Sequence, residues 1–260
     1  MNTLRTLLCI AGGLAIFAST ANAQTGPGPE PVKPSVPGEV EFGQPVMDRE
    51  IFAHFLLNQN EGRFGRLDAA NTHYRWNGEG WVGTDYDKFW VKTEGTVRRG
   101  KVEDGLHEFL YSRAITTYFD FQAGLRSDLD SRRTRNWASF GIEGLAPGFF
   151  EVELAGYVSP DGRLAARAEA SYDLLITNRL ILQPQAELNF YSRSDRARGI
   201  GPGLAEIDMG LRLRYDITRK FSPYIGIGYE GKIGQTASFA RQEGDPVHDL
   251  RVLAGIRLWF

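Results

Sequence analysis

The end of this chain alternates with a period of two. In Asp249-Leu250-Arg251-Val252-Leu253-Ala254-Gly255-Ile256-Arg257-Leu258-Trp259-Phe260 every even position is apolar, and the odd positions include Asp249, Arg251 and Arg257. Such a repeat belongs to a β-strand with one apolar and one polar face. Further upstream, Ala205, Ile207, Met209, Leu211, Leu213 and Tyr215 share one face, while Glu206, Asp208, Gly210, Arg212, Arg214 and Asp216 share the other. Between Leu180 and Phe190 the split recurs, with Gln183, Gln185, Glu187 and Asn189 on the polar side. From about residue 50 onward no helical periodicity persists, and the 30 glycines and 12% aromatic content suit a turn-rich β-protein.

A soluble sandwich would alternate as well, so strand and connection lengths decide. Each strand runs about 10–12 residues, against about 5–6 for soluble strands and about 9–11 for bilayer-spanning ones. The pattern places strands over 51–63, 71–84, 87–98, 104–115, 118–126, 136–145, 149–158, 163–175, 180–190, 205–215, 222–232 and 248–260. Every second gap is tight, as at Asp85-Tyr86, Thr116-Thr117 and Ala146-Pro147-Gly148. Most of the others are long and polar: Arg99 to Glu103, Ser127 to Arg135, Tyr191 to Leu204 and Ile233 to Val247. Short turns at one end and long loops at the other are the pattern of outer-membrane barrels. Closure is required because an open sheet edge in lipid leaves backbone groups unsatisfied. The expected fold is all-β: a transmembrane antiparallel up-and-down β-barrel of about 12 strands, with both termini on the periplasmic side. The first strand and the one at 104–115 alternate poorly, which leaves ten as the other count.

Residues 1–23 stand apart. Arg5 gives a positive start, Leu7 to Phe17 is an apolar run, and Ala21-Asn22-Ala23 offers small residues at the positions a signal peptidase reads. A membrane anchor helix would need roughly 20 apolar residues, more than this core holds. The only cysteine, Cys9, lies inside this segment, too early to be a lipoprotein processing site. The mature chain therefore has no disulfide, thiolate metal site or cysteine nucleophile. Residues 24–49 include Gly26-Pro27-Gly28-Pro29, Pro31, Pro34 and Pro37-Gly38, and read as a periplasmic linker to a barrel over 50–260. A formal net charge of −2 gives no sign of a nucleic-acid partner.

The polar strand faces must line the barrel interior, and they carry both signs: Glu143, Glu151, Glu153, Arg167, Glu169, Glu187, Glu206, Asp208, Arg212, Arg214, Glu230, Lys232, Arg251 and Arg257. Unpaired charges in a confined lumen are costly. Two readings follow: a salt-bridged plug that fills the barrel, which is favoured, or a narrow polar pathway with a carboxylate cation site.

Two stretches point to a family. One is Pro45-Val46-Met47-Asp48-Arg49-Glu50-Ile51-Phe52-Ala53-His54-Phe55-Leu56-Leu57-Asn58-Gln59-Asn60-Glu61-Gly62-Arg63. The other begins at Phe89-Trp90-Val91-Lys92-Thr93-Glu94-Gly95 and continues through Leu110-Tyr111-Ser112-Arg113-Ala114-Ile115 and Phe119 to Arg126. These resemble the copper resistance protein B family, and the similarity extends through Ala186 to Asn189 and Gly201 to Arg214. The resemblance implies an outer-membrane barrel that binds copper ions and contributes to copper tolerance. Family members often carry a long Met- and His-packed N-terminal segment, and soft thioether and imidazole groups suit copper. This chain lacks that segment: beyond residue 23 it holds only Met47, Met209, His54, His73, His107 and His248 as such donors.

The candidate metal ligands are thus Met47 and His54, at the mouth of the first strand, and His73 and His107, near the outer ends of adjacent hairpins. The competing reading of Met47 and His54 is a strand-entry contact; lone histidines such as His73 and His107 are more often surface or hydrogen-bonded groups. His248 in a loop beside acids reads as solvated, and Met209 as lipid-side packing. Expected partners are outer-membrane lipid, the barrel-assembly machinery through terminal Phe260, and periplasmic copper proteins. A passive or structural barrel without metal binding is the alternative function. An enzyme is not expected, since none of the four histidines has a nucleophile motif beside it.

Overall fold

The computed structural model describes residues 50–65, 72–129 and 134–260. The signal, the linker and Met47 lie outside the described residues.

The described chain forms β1 (Phe52–Gly65), β2 (His73–Gly83), β3 (Asp87–Arg98), β4 (Lys101–Ala114), β5 (Phe119–Asp128), β6 (Arg135–Ala146), β7 (Phe150–Val158), β8 (Leu164–Ser171), β9 (Leu174–Leu175), β10 (Leu180–Tyr191), β11 (Gly203–Tyr215), β12 (Phe221–Lys232) and β13 (His248–Trp259), with one α-helix, α1 (Gly234–Glu243), and a single 3-10 turn at Arg196–Arg198. Each strand pairs antiparallel with its neighbour, and β13 returns to β1, so the sheet has no open edge. β8 and β9 both pair with β10 and together make one wall strand, giving a closed barrel of twelve. The seam is completed where Phe55 and Phe260 exchange two backbone hydrogen bonds of 2.9 Å. No described helix is long and apolar enough to cross a membrane.

The expected continuous strand 163–175 is interrupted, and the cause sits opposite. Pro184 in β10 has no N–H to donate to the ladder. It accepts from the Tyr172 N–H at 3.1 Å, and pairing resumes only at Leu174 opposite Leu182.

The poor alternation of the first strand has a local origin too. Leu57 stands opposite Gly78 but Gln59 opposite Asn77, so Asn58 is an extra residue in a β-bulge. The bulge flips the face parity. After it, Gln59, Glu61 and Arg63 point inward and are buried. In β4 a second irregularity, between the pairs Val97–Val102 and Thr96–Asp104, does the same at Glu103. The strand then buries Leu106 and Leu110 between the inward Glu108 and Ser112. Twelve, not ten, is therefore the strand count.

The barrel is inside-out relative to a soluble domain. Outward Phe89, Phe109, Phe121, Leu125, Ile225 and Val252 are exposed, while inward Arg63, Glu61, Arg212 and Arg251 are all at most 2% accessible. Connections at 84–86, 115–118, 147–149, 176–179 and 216–220 form the turn end. The loop end carries the connections 159–163, 192–202 and 233–247. One expected loop, Arg99 to Glu103, is instead a tight turn, because β4 begins at Lys101. Arg99 (φ 50°) and Gly100 (φ 74°) both adopt the left-handed conformation that a two-residue hairpin of matching twist requires.

Helix α1 was not foreseen from the long loop after β12. It buries Thr236, Ala237, Phe239 and Ala240, and Gly244 (φ 77°) terminates it by donating to the Ala240 and Arg241 carbonyls. The neighbouring loop clamps it: the Gly201 N–H donates to Thr236 Oγ1 at 2.9 Å, and the Arg196 guanidinium lies 5.7 Å from the Phe239 ring.

Candidate functional site: the barrel lumen

Inward alternation delivers the charged side chains to a shared interior, and they pair across it. Arg167 of β8 donates to both oxygens of Glu94 in β3 at 2.6 and 2.8 Å, and also meets Glu169 at 2.7 Å and Glu187 at 3.4 Å. Arg75 of β2 reaches Glu187 of β10 at 2.8 Å and Asp208 of β11 at 2.9 Å. Arg63 bridges Asp208, Glu61 and Glu230 at 2.5, 2.8 and 2.9 Å. Arg212 clasps Glu61 through two bonds of 2.9 Å, and the Tyr224 hydroxyl donates to the same carboxylate at 3.0 Å. The outcome is one continuous belt: Glu94, Arg167, Glu187, Arg75, Asp208, Arg63, Glu61, Arg212.

On the turn side of this belt lies a cavity of about 340 Å³, lined by Glu79, Glu108, Glu143, Glu151, Glu153 and Glu169 among others. Its central cation is Lys92, whose Nζ donates to Glu143 at 2.7 Å and Glu153 at 2.9 Å and sits 5.5 Å from the Trp90 ring. On the loop side are cavities of about 140 and 210 Å³; Ala240 and Glu243 of α1 line the second together with His73 and Arg75. The helix thus covers the loop end over β11 and β12. At the same end Arg126 stacks 4.3 Å from the Tyr157 ring, binds Asp128 at 2.7 Å, and shares that carboxylate with the Trp137 indole N–H at 2.9 Å.

The expected ligands are not brought together. His54 faces the lumen at the turn end, with ring centroids of Trp81 and Trp259 at 5.9 and 5.7 Å. His73 is buried at the loop end, its Nε2 3.1 Å from Glu230. His107 shares the outward face of β4 with exposed Phe109 and Tyr111. His248 stacks on Tyr229, whose hydroxyl is 2.8 Å from its Nδ1. Met209 is exposed on the outward face of β11. Among the described residues no group of three or more His, Cys, Asp or Glu is arranged to hold a metal ion.

Several central lumen residues escaped the sequence reading. Arg75 and Glu79 in β2, and Lys92 and Glu94 in β3, occupy alternate positions and were readable as inward charges. Glu61 and Arg63 were hidden by the bulge at Asn58.

A closed wall, an ionised interior and an apolar exterior define the class, and a solved structure shares the fold. The NanC porin superposes with a TM-score of 0.51 at 12% identity, over 77% of this chain and 98% of its own. The protein is an outer-membrane β-barrel. Sequence places it more narrowly. The profile of the copper resistance protein B precursor (CopB) family matches residues 51–260. Copper resistance protein B of Escherichia coli is 42% identical over 218 residues, 84% of this chain and 73% of that protein. A copper resistance protein B homolog of Pseudomonas syringae pv. tomato is 39% identical over the same shares. The chain belongs to the copper resistance protein B family.

Proposed function

We propose that this protein binds copper ions at the outer membrane and contributes to copper homeostasis and tolerance. Besides the family, one observation supports a site at the turn-end mouth. His54 is the described histidine that faces the lumen without a hydrogen bond or ion pair to any described residue, between two indole rings. An imidazole nitrogen is a copper donor, and indole faces attract a cation. Met47 stands seven positions before it in the chain and would supply a thioether. Copper is the cargo of this reading. Periplasmic copper proteins are its exchange partners, because short turns and termini face the periplasm in such barrels. Phe260, held against β1 by its backbone pair and 5.6 Å from Lys220 Nζ, is the element offered to the assembly machinery. No catalytic role is assigned, and refolded protein should not turn over phospholipid or peptide.

The test is titration of the refolded mature protein with Cu(I) and Cu(II), repeated for Met47→Ala and His54→Ala. Stoichiometric binding that is lost in either variant supports the site. Binding no greater than that of zinc or buffer overturns it and leaves the structural reading, which the ion-paired lumen favours.

A further inference from the structure

Side chains of the wall itself cross the lumen, and two of their ion pairs span nearly its width. Around a ring of twelve strands, β2 and β10 are five positions apart, as are β3 and β8. The pairs Arg75–Glu187 and Arg167–Glu94 therefore lie close to two diameters of the barrel. They share Glu187, which Arg167 also reaches at 3.4 Å. All four residues belong to one belt, with an acidic cavity on its turn side and two cavities on its loop side, one of them lined by α1. By contrast Arg63 and Arg212 pair with residues at most three strands away, nearer the wall.

We propose that Arg75 and Arg167 form a latch that seals the lumen, and that releasing it converts the barrel into a cation-selective passage. The physical case has two parts. A guanidinium bound in fork geometry to a carboxylate on the far wall is held in place by paired charge-assisted hydrogen bonds. It also fills the centre, where a hydrated ion would otherwise pass. When the two guanidiniums are removed, Glu94, Glu187 and Asp208 remain facing inward beside Glu79, Glu143, Glu153 and Glu169. A ring of carboxylates admits cations and repels anions. This inference is independent of copper: it concerns the barrier to any small cation, and potassium serves as the probe.

Four forms of the mature protein are compared in planar bilayers bathed in KCl: wild type; Arg75→Ala/Arg167→Ala; a lid variant with residues 234–243 replaced by a Gly-Ser linker; and the combination. Barrel folding is verified for each by heat-dependent gel mobility. A fifth form, Arg75→Ser/Glu187→Ser/Arg167→Ser/Glu94→Ser, removes the pairs whole and leaves no orphaned charge from them, in case the double variant does not fold. Discrete current steps only in forms lacking the latch support the proposal. In Arg75→Ala/Arg167→Ala the reversal potential under a tenfold KCl gradient should move toward the potassium equilibrium value. Steps in the wild type or the lid variant overturn it, as does silence in every folded latch-free form or anion selectivity in the double variant.

Discussion

Arg167 and Glu94 face each other from strands on opposite sides of the barrel and are joined by two parallel hydrogen bonds of 2.6 and 2.8 Å. The arrangement needs arginine: its planar fork matches both carboxylate oxygens, which a lysine ammonium cannot do. Arg167 is 6% accessible, so neither water nor salt screens the pair as at a surface.

Removing one partner strands the other. Arg167→Ala should lower stability by about 3–5 kcal/mol, the usual effect of leaving a buried charge unpaired. Lys232→Ala, whose 3.7 Å contact with Asp245 at the loop end is half-exposed, should change it by at most about 1 kcal/mol. Urea unfolding followed by tryptophan fluorescence measures both. Equal effects would show that the lumen is far more hydrated than its packing implies.

The lipid-facing wall makes a different prediction at Gly95. The Trp76 ring lies over this glycine, its indole N–H donating to Thr93 Oγ1 at 3.1 Å, and a Cβ there would collide with the ring and with the Asp104 carbonyl oxygen. Gly95→Val should therefore destabilise the barrel by about 1–3 kcal/mol. The shift in unfolding midpoint is the readout, and a neutral result would mean the ring moves aside freely.

The histidines should separate by role. His73→Ala removes a buried ring from Glu230 and should lower stability by about 1–3 kcal/mol while leaving the copper titration unchanged. His107→Ala, on the lipid-facing side, should alter neither. Loss of copper binding in either variant would move the site away from His54.

At the β3–β4 turn Arg99 holds a left-handed backbone that disfavours a long side chain. Arg99→Asn should raise stability by up to about 1 kcal/mol, since Asn-Gly is the preferred pair for this turn. An unchanged or lower unfolding midpoint would show that the arginine side chain offsets its backbone strain.

Much of the architecture was legible from alternation alone, because side-chain direction in a strand is a local property. From β6 to β8 and β10 to β13 the pattern named inward charges, and Glu143, Arg167, Glu187, Asp208 and Arg212 all face the lumen, whereas the buried Arg126 and Asp128 of β5 went unnamed. Where the pattern faltered, a local device was responsible. The bulge at Asn58 reversed the parity of β1 in mid-strand, and β4 both bulges at Glu103 and places two leucines inside. Pro184 interrupted the strand opposite it, and a proline in β10 gives no hint of which neighbouring residue will lose its partner. Helix α1 was illegible for another reason: a short loop helix is held by Phe239 and Ala240 burying against the barrel mouth, not by a periodicity of its own.

The candidate site was less legible than the fold. The four expected ligands were chosen for chemistry and chain position, yet the barrel places His54 at the turn end, His73 at the loop end and His107 on the lipid side, with Met47 outside the described residues. The chain by itself determined that a closed barrel of about twelve strands would form, which face of most strands would meet lipid, and that charges of both signs would be shut inside. Only the tertiary structure decided which charges meet. Glu94 and Arg167 are 73 residues apart, and their encounter depends on closure, strand tilt and register, quantities that no single strand encodes and that the wall acquires only when its first and last strands join.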